Sequence, residues 1–377
     1  MTPKIARYLA EQQPATPCLI VDVDHVESRY RALQGAMPIA HIYYAVKANP
    51  APEILRRLVD LGSCFDAASI GEIRQCLEAG ASPKQISFGN TVKKISSIRE
   101  AFERGVDLFV FDSEEELAKL AEHAPGTRVF CRLAVENEGA DWPLSRKFGT
   151  TVEHAHELLL RAKDLGLEPY GLSFHVGSQQ TSTAAYEAAI ARVGMLFTDL
   201  SKAGLELKMI NLGGGFPVRY RDDVPEIDQF GLAIGRAMTE HFGNALPQML
   251  IEPGRFLVGE AGVVSAEVVL VSQRGGKGSD PRWVYLDIGR FGGLAETEGE
   301  AIRYRFRTAH DGLPTGQTVV AGPSCDGVDI MYEKKRVDLP MALRSGDRVE
   351  LLSTGAYVST YCSTGFNGFA PLAEHYI

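Results

Sequence analysis

A lysine at the end of a strand carries the clearest chemical signal in this sequence. Residues 43–50 read Tyr-Tyr-Ala-Val-Lys-Ala-Asn-Pro, so a strand-forming run ends at Lys47 and a proline stops it. Burial lowers the pKa of an ammonium group, and the neutral amine can then form a Schiff base with a carbonyl. A lysine extending from a strand end into solvent would explain the same pattern. The residues at the other strand ends favour the chemical interpretation.

Two turns further along the chain are suited to holding a phosphate group. Residues 213–215 are all glycine, and residues 252–255 read Glu-Pro-Gly-Arg. Consecutive glycines let backbone N–H groups approach phosphate oxygens, although they also occur in merely flexible turns. A carboxylate such as Glu252 is costly beside a phosphate unless a cation faces it, and a protonated pyridine nitrogen is such a cation. Lysine, phosphate cradle and carboxylate together predict pyridoxal 5′-phosphate (PLP) as the cofactor.

The elements that must position these groups alternate regularly along the first two thirds of the chain. Short apolar runs with strand character alternate with segments whose apolar residues recur at helical spacing. This alternation predicts a parallel (β/α)8 TIM barrel over residues 25–255. Its strands are expected at 43–47, 64–68, 86–89, 107–111, 128–133, 170–176, 209–212 and 249–252.

The pattern changes after residue 255. The runs there are short, rich in β-branched residues and separated by Gly, Pro, Asp and Ser. They predict an all-β domain, a β-barrel or sandwich, over residues 256–377. We expect residues 1–24 to join this domain through a strand at 17–23.

In such a barrel the active site lies at the C-terminal ends of the strands. His175 could stack on a cofactor ring there or be an ordinary core histidine. The polar interval 136–147 could be a lid over the site or a plain surface loop. Besides the two turns above, the residues expected at the strand ends are Lys47, Asp66, Arg132, His175 and Ser178.

The composition sets limits on partners and location. The net charge of −9 provides no general basic field for nucleic acid or an anionic membrane. Six cysteines are scattered without a Cys-x-x-Cys pair, which indicates reduced thiols. No signal-like or membrane-spanning apolar run and no metal site is predicted, so we expect a cytoplasmic protein without nucleic-acid or membrane partners.

Several stretches, in this order, resemble those of the ornithine decarboxylases, which belong to the fold-type III (alanine racemase-like) basic amino acid decarboxylases. The resemblance covers nearly the whole chain. The stretches are 44–49 (Tyr-Ala-Val-Lys-Ala-Asn), 174–178 (Phe-His-Val-Gly-Ser), 213–217 (Gly-Gly-Gly-Phe-Pro), 252–255 (Glu-Pro-Gly-Arg), 322–326 (Gly-Pro-Ser-Cys-Asp) and 366–369 (Phe-Asn-Gly-Phe).

The resemblance implies a role for each matching barrel residue. Lys47 would hold PLP covalently, His175 would stack on its ring, and Glu252 would pair with its nitrogen. Asp66 and Arg132 would lie near the point of attachment. The phosphate and the rest of the cofactor would be held by Ser178, Gly214, Gly215, Gly254, Arg255 and Tyr357.

The resemblance also implies a homodimer with active sites shared across the interface. The partner subunit would supply Cys325 and Asp326, with Cys325 returning a proton to the substrate. Lys147 would pair across the interface with Asp329. A buried structural thiol is the alternative for Cys325. Phe366 would line the face from which the carboxylate leaves, and a core aromatic is the alternative there.

The implied reaction is decarboxylation of L-ornithine to putrescine and carbon dioxide in polyamine biosynthesis, with L-lysine to cadaverine as a second possibility. Asp326, Glu296 or Glu300 would bind the distal ammonium of the substrate. Phe291 stands where eukaryotic relatives carry a tyrosine. The alternatives are a diaminopimelate decarboxylase, an amino acid racemase, and a non-catalytic regulator that resembles the antizyme inhibitors.

Overall fold

A computed structural model describes residues 1–136, 139–142, 147–273 and 281–377. The chain divides into two compact units. The barrel unit comprises Glu27–Pro217 and Val224–Phe256, and the β unit comprises Met1–Val26, Val218–Asp223 and Leu257–Ile377. The helices are α1 (Pro3–Gln12), α2 (Val23–Ala36), α3 (Pro52–Asp60), α4 (Ile70–Glu78), α5 (Ile95–Glu103), α6 (Glu114–His123), α7 (Val152–Asp164), α8 (Ala184–Lys202), α9 (Ile227–Phe242) and α10 (Arg255–Val258).

The strands divide between the two units and one small additional sheet. Three of them, β7, β9 and β18, have no counterpart among the strands expected from the sequence. The strands are β1 (Cys18–Val21), β2 (Ala40–Ala45), β3 (Cys64–Ala67), β4 (Ile86–Phe88), β5 (Leu108–Phe111), β6 (Arg128–Arg132), β7 (Ala140–Trp142), β8 (Glu168–Ser173), β9 (Ser178–Gln180), β10 (Met209–Asn211), β11 (Gln248–Ile251), β12 (Gly262–Gln273), β13 (Arg282–Leu286), β14 (Arg305–Thr308), β15 (Thr315–Ala321), β16 (Ile330–Pro340), β17 (Arg348–Leu352) and β18 (Ala373–Tyr376).

The barrel unit contains a closed parallel barrel in the order β10-β11-β2-β3-β4-β5-β6-β8. Strand β11 closes it against β2, where Ile251 lies opposite Ile42. The Ala45 N–H extends this pairing past the end of β11 by donating to the Pro253 carbonyl at 3.0 Å. The predicted eight-stranded parallel barrel is confirmed.

Apolar side chains on strands and helices explain why the barrel forms. A cluster inside it includes Tyr43, Val110, Phe130 and Leu250, all buried. Helix α3 starts with a proline in its first turn, where an N–H is not needed, and buries Ile54, Leu55 and Leu58 on one face. Burial on both faces of the strands gives the strand ends a rigid frame.

The β unit is built around a sheet in the order β14-β17-β12-β13-β15-β16. Strand β1 pairs antiparallel with β12 and parallel with β18. The prediction that the N-terminal strand joins the β-domain is therefore confirmed. None of the helices in the described ranges is both long and apolar enough to cross a membrane.

Segment Val218–Asp223 belongs to the β unit, whereas the range predicted for the barrel contains it. The physical reason is its hydrogen bonding. The Arg221 N–H donates to the Arg303 carbonyl at 3.1 Å, and its guanidinium donates to the Tyr304 carbonyl at 3.1 Å. Such contacts join residues more than eighty positions apart, so periodicity does not reveal them.

Part of the predicted lid interval forms a small sheet. Strand β7 pairs antiparallel with β9, so that Ala140 lies opposite Gln180. Residues 137–138 and 143–146 lie outside the described residues. The lid itself stays a prediction.

Candidate active site

Lys47 lies in a short 3-10 turn, Val46–Ala48, immediately after β2. The Tyr44 hydroxyl donates to the Asn49 carbonyl at 2.8 Å, which holds the two ends of this turn together. Lys47 Nζ is 4.0 Å from Asp66 Oδ2. The pair is brought together by parallel pairing of β2 and β3, which places Ala45 opposite Asp66.

The Asp66 carboxyl is buried, at 3% exposure. Burial, and then the negative charge of Glu252, raise its pKa well above the usual range, whereas Lys47 acts in the opposite direction. A Cβ at Gly89 would overlap Asp66 Oδ1, so this carboxyl lies directly against a glycine after β4. Among the described residues, Asp66 Oδ1 has no hydrogen-bond partner.

The glycine turn at 213–215 is fixed by its three carbonyl groups. The carbonyl of Gly213 accepts from the Glu252 N–H, that of Gly214 from the Tyr186 hydroxyl and that of Gly215 from the Gln180 N–H, each at 2.8 Å. In a trans peptide the N–H points opposite to the C=O, so the amides following Gly213 and Gly214 point away from these donors. Backbone N–H groups that point away from protein donors are the kind of group that a phosphate cradle uses.

The same turn excludes any larger residue. A Cβ at the second glycine would overlap the Glu252 carbonyl, and one at the third would overlap the Gly177 carbonyl. The first and third glycines have φ of +66° and +108°, where side chains are strained. The sequence contains glycine here because of these close approaches.

The sequence analysis missed Asn211, which connects Glu252 to the glycine turn. Its side-chain amide donates to Glu252 Oε1 at 2.5 Å, and its Oδ1 accepts from the Gly213 N–H at 2.9 Å. An asparagine that ends a barrel strand two residues before a glycine turn was the available signal. Asn211 orients the carboxylate because a single side chain contacts both groups.

His175 lies next to this turn. The Gly177 N–H donates to His175 Nδ1 at 3.0 Å, which makes Nδ1 an acceptor. Burial, then the charges of Arg132 and Lys47, lower the histidine pKa well below its usual range. A Cβ at Gly214 would lie 3.4 Å from Nε2. A neutral imidazole ring therefore lies beside the turn, and its stacking on a pyridine ring stays a prediction.

Arg132 and Arg255 are the cations of the site. Burial lowers the pKa of Arg132, while the charges of Glu252 and Asp66 oppose that shift. Arg255 is buried, follows Gly254 directly, and donates from Nε and Nη2 to Ser178 Oγ at 3.3 and 3.2 Å. The structure thus brings five of the predicted residues into one charged cluster, and it pairs Arg255 with Ser178. The cluster consists of Lys47, Asp66, Arg132, His175 and Glu252.

Other predicted residues belong to the β unit. Tyr357 has a left-handed φ of +59°, which is uncommon for an aromatic residue. Cys325 and Asp326 lie in an exposed loop after β15. The rings of Phe291 and Phe366 are 4.5 Å apart between centroids. Both rings line a cavity of about 380 Å³ together with Asp329.

Asp329 is buried within its own unit. Its Oδ1 accepts from the Arg290 N–H at 2.8 Å, and its Oδ2 accepts from the Ser324 N–H at 3.1 Å. Lys147 in the barrel unit is exposed, with Nζ 5.0 Å from the Phe148 ring. The pairing of Lys147 with Asp329 of a partner subunit stays a prediction.

Of the two candidate glutamates for the distal ammonium, Glu300 has another role. Its Oε1 accepts from the N–H groups of Glu333 and Lys334 at 2.8 and 2.7 Å, and its Oε2 accepts from the Lys335 N–H at 2.7 Å. These bonds lower its pKa against the raising effect of burial. Glu300 therefore anchors β16 to the preceding loop. Glu296 is buried in the 3-10 segment Ala295–Glu300.

These residues fit PLP. An amine lies beside a buried carboxyl whose Oδ1 has no hydrogen-bond partner in the described part of the chain, and a fixed glycine turn leaves no room for side chains. A carboxylate oriented by an asparagine and a neutral histidine ring complete a set suited to a phosphorylated pyridine aldehyde.

Fold and site together define a PLP-binding barrel with an additional β-domain. Residues 23–259 match the model of the family described as "Pyridoxal-dependent decarboxylase, pyridoxal binding domain". The chain belongs to this family, which confirms the resemblance, and its cofactor is PLP.

Comparison with individual relatives indicates which kind of substrate this decarboxylase family member acts on. The lysine/ornithine decarboxylase of Selenomonas ruminantium is 36% identical over 98% of this chain and 91% of its own length. The solved structure of SrLDC in complex with PLP and cadaverine has a TM-score of 0.88 at 35% identity, covering 100% of this chain and 93% of that one. Antizyme inhibitor 2 of Xenopus laevis is 29% identical over 99% of this chain and 83% of its own. The chain is thus a PLP-dependent decarboxylase of basic amino acids.

Proposed function

We propose that this protein decarboxylates L-ornithine to putrescine and carbon dioxide, with L-lysine to cadaverine as a second reaction. The observation that carries this proposal is the Lys47–Asp66 pair beside Glu252 at the strand ends. The name of the Selenomonas ruminantium relative, which includes both substrates, supports the substrate class.

Bound PLP supplies an electron sink for the pair left behind when the carboxylate departs. Lys47 Nζ would hold the cofactor and give up its place to the substrate amine. Asp66, 4.0 Å away, exchanges a proton with that nitrogen. Glu252, oriented by Asn211, holds positive charge on the pyridine nitrogen. The His175 ring would pack against the cofactor ring.

The backbone amides of the glycine turn and the hydrogen-bonded pair Arg255–Ser178 would hold the phosphate. The resemblance also assigns Gly254 and Tyr357 to the phosphate, and this assignment stays a prediction. The three fixed carbonyls of the turn keep the amides in place without substrate, which lowers the reorganisation needed on binding.

Cys325 of the partner subunit would donate the Sγ proton to the substrate Cα after carbon dioxide leaves. This requires a homodimer with two shared sites, in which Lys147 would contact the partner subunit's Asp329. We propose the cytoplasm as its location. The exposure of the loop with Cys325 and Asp326 supports this arrangement. Phe366 would line the apolar face from which carbon dioxide departs, and Phe291 packs against it.

Glu296, together with Asp326, would bind the distal ammonium of the substrate. Glu300 is the weaker candidate, because three backbone N–H groups occupy its carboxylate. One methylene distinguishes ornithine from lysine, and such a difference is worth only about 1–3 kcal/mol. We therefore expect both to be substrates, with ornithine preferred.

The test measures carbon dioxide release from ornithine, lysine, arginine and diaminopimelate by the PLP-loaded protein. We expect the highest kcat/KM with ornithine and a lower one with lysine. Release from diaminopimelate alone would refute the proposal. The antizyme inhibitor relative supports a non-catalytic regulator as second candidate. No release from any substrate, and no visible cofactor band in the purified protein, would favour that candidate.

A further inference from the structure

The loop that carries Cys325 is anchored at its base. The Gly322 N–H donates to the Asp329 carbonyl at 2.8 Å, and the Asp329 N–H donates to the Asp326 carbonyl at 3.1 Å. Asp329 also accepts from the Ser324 N–H, as described above. Between these anchors residues 325–328 are exposed, so packing does little to hold the cysteine itself.

One contact acts on the cysteine directly. The backbone N–H of Cys325 donates to Asn367 Oδ1 at 3.0 Å, across 42 positions of sequence. A cysteine side chain has a single χ1 rotation before its sulfur. Fixing the backbone amide therefore limits Sγ to the few directions that the staggered χ1 rotamers allow.

Asn367 is itself held by its turn. It has a φ of +51°, a left-handed conformation that asparagine tolerates better than most residues. The Gly368 N–H donates to the Gly365 carbonyl at 3.0 Å, and the Phe369 N–H donates to the Phe366 carbonyl at 3.1 Å. The Phe366 ring packs against Phe291. The acceptor that reaches Cys325 is thus placed by local structure.

We propose that Asn367 is a positioning residue that directs the Cys325 thiol toward the substrate carbon. The inference rests on the proposed function, in which this thiol is the proton donor. Proton transfer demands that donor and acceptor lie within hydrogen-bond reach, and an exposed loop without the Asn367 contact would spend much of its time elsewhere.

The consequence of misplacement is a change of product. Correct transfer would break the Sγ–H bond and form the Cα–H bond, and Lys47 would then displace the diamine. If the proton went to the cofactor instead, the electron pair left behind by carbon dioxide would reduce the cofactor, and the substrate carbon would be oxidised. Hydrolysis would then release an aldehyde and pyridoxamine 5′-phosphate.

Two substitutions separate the acceptor from the backbone conformation. Asn367→Gly tolerates the left-handed backbone conformation at this position but removes the Oδ1 acceptor. Asn367→Asp tolerates the same conformation and retains an acceptor oxygen. We expect Asn367→Gly to raise the ratio of aldehyde to diamine roughly tenfold, within the ~10²–10⁴-fold that a general acid contributes. Asn367→Asp should leave this ratio within about twofold of the native value.

The orientation of the Cys325 thiol can also be measured without catalysis. The rate at which iodoacetamide alkylates Cys325, followed by peptide mass spectrometry, reports how the thiol is presented. The exposed Cys362 serves as internal reference. We expect the Cys325 rate to change in Asn367→Gly and not in Asn367→Asp, while the Cys362 rate stays constant in both.

The control variant is Cys325→Ala. If it leaves the product ratio unchanged, the proposed role of Cys325 fails. If it shifts the ratio while Asn367→Gly does not, the role of Cys325 stands and the inference about Asn367 is overturned. Equal alkylation rates in all Asn367 variants would overturn it as well.

Discussion

The barrel unit and the β unit use carboxyl groups in opposite ways. Asp66 in the barrel lies near Glu252 and Lys47, and its pKa is raised by burial and by the neighbouring carboxylate. Glu300 in the β unit accepts three backbone N–H bonds, which lower its pKa. Asp329 likewise accepts two backbone N–H bonds.

This difference distinguishes carboxyl groups that take part in chemistry from those that hold the fold together. A carboxylate whose lone pairs are filled by backbone donors is stabilised in its charged form and holds segments together. A buried carboxyl whose charge is opposed by its surroundings is a candidate for proton transfer or for contact with a ligand. By this criterion the reactive carboxyl group lies at the barrel strand ends, whereas Glu300 has a structural role.

The largest effect is expected for Lys47, the amine of the barrel cluster. Lys47→Ala should reduce kcat by roughly 10³-fold or more, since it removes the attachment of the cofactor. Borohydride reduction followed by mass spectrometry should show covalent PLP on the native chain and none on the variant. Covalent PLP at another lysine would contradict the assignment.

The next largest effect is expected for Glu296 in the β unit, with Glu300 as its control. Glu296→Gln should lower kcat/KM for ornithine and lysine by roughly 10–100-fold, because a charged partner of the distal ammonium is lost. The matched control is Glu300→Gln, which places amide hydrogens against backbone donors. It should cost about 1–3 kcal/mol of unfolding free energy and leave kcat/KM for each of the two substrates unchanged. A lowered kcat/KM in Glu300→Gln would mean that this glutamate binds substrate after all.

A smaller effect should follow from filling the space beside Asp66. In Gly89→Ala the new Cβ would overlap Oδ1, so the carboxyl must move. We expect a loss of about 1–3 kcal/mol in unfolding free energy, accompanied by weaker catalysis. The same change in an Asp66→Ala background should cost clearly less, as chemical denaturation of the four proteins would reveal. Additive effects would show that the two residues do not interact.

The smallest effect is expected in how the unfolding free energy of the cofactor-free protein depends on pH through Asp66. A raised carboxyl pKa in the folded state means that the folded state holds the proton longer than the unfolded one. Stability is then lost as pH rises from the unfolded pKa to the folded one. The Asp66→Asn variant has no such carboxyl and does not lose stability in this way. Its unfolding free energy relative to that of the native protein should therefore rise by up to about 1.4 kcal/mol per pH unit in that interval. Parallel stability curves against pH would disprove the raised pKa.

Much of the fold was predictable because its signals are local. The apolar spacing of each strand and helix gave the barrel, and the order of elements then placed Lys47, His175 and Glu252 at the same end. The glycines at 213–215 also follow from local order, because they come directly after a barrel strand. Strand β18 was missed, since its four residues carry no distinctive pattern.

The sequence by itself thus determined the barrel, the β-domain and the residue types at the strand ends. Only the tertiary structure decided which groups touch: Gly89 against Asp66, Asn211 on Glu252, Glu300 on residues 333–335 and Asn367 on Cys325. These contacts join segments 23 to 42 positions apart. Periodicity describes which face of an element is buried, whereas such contacts depend on how distant elements pack.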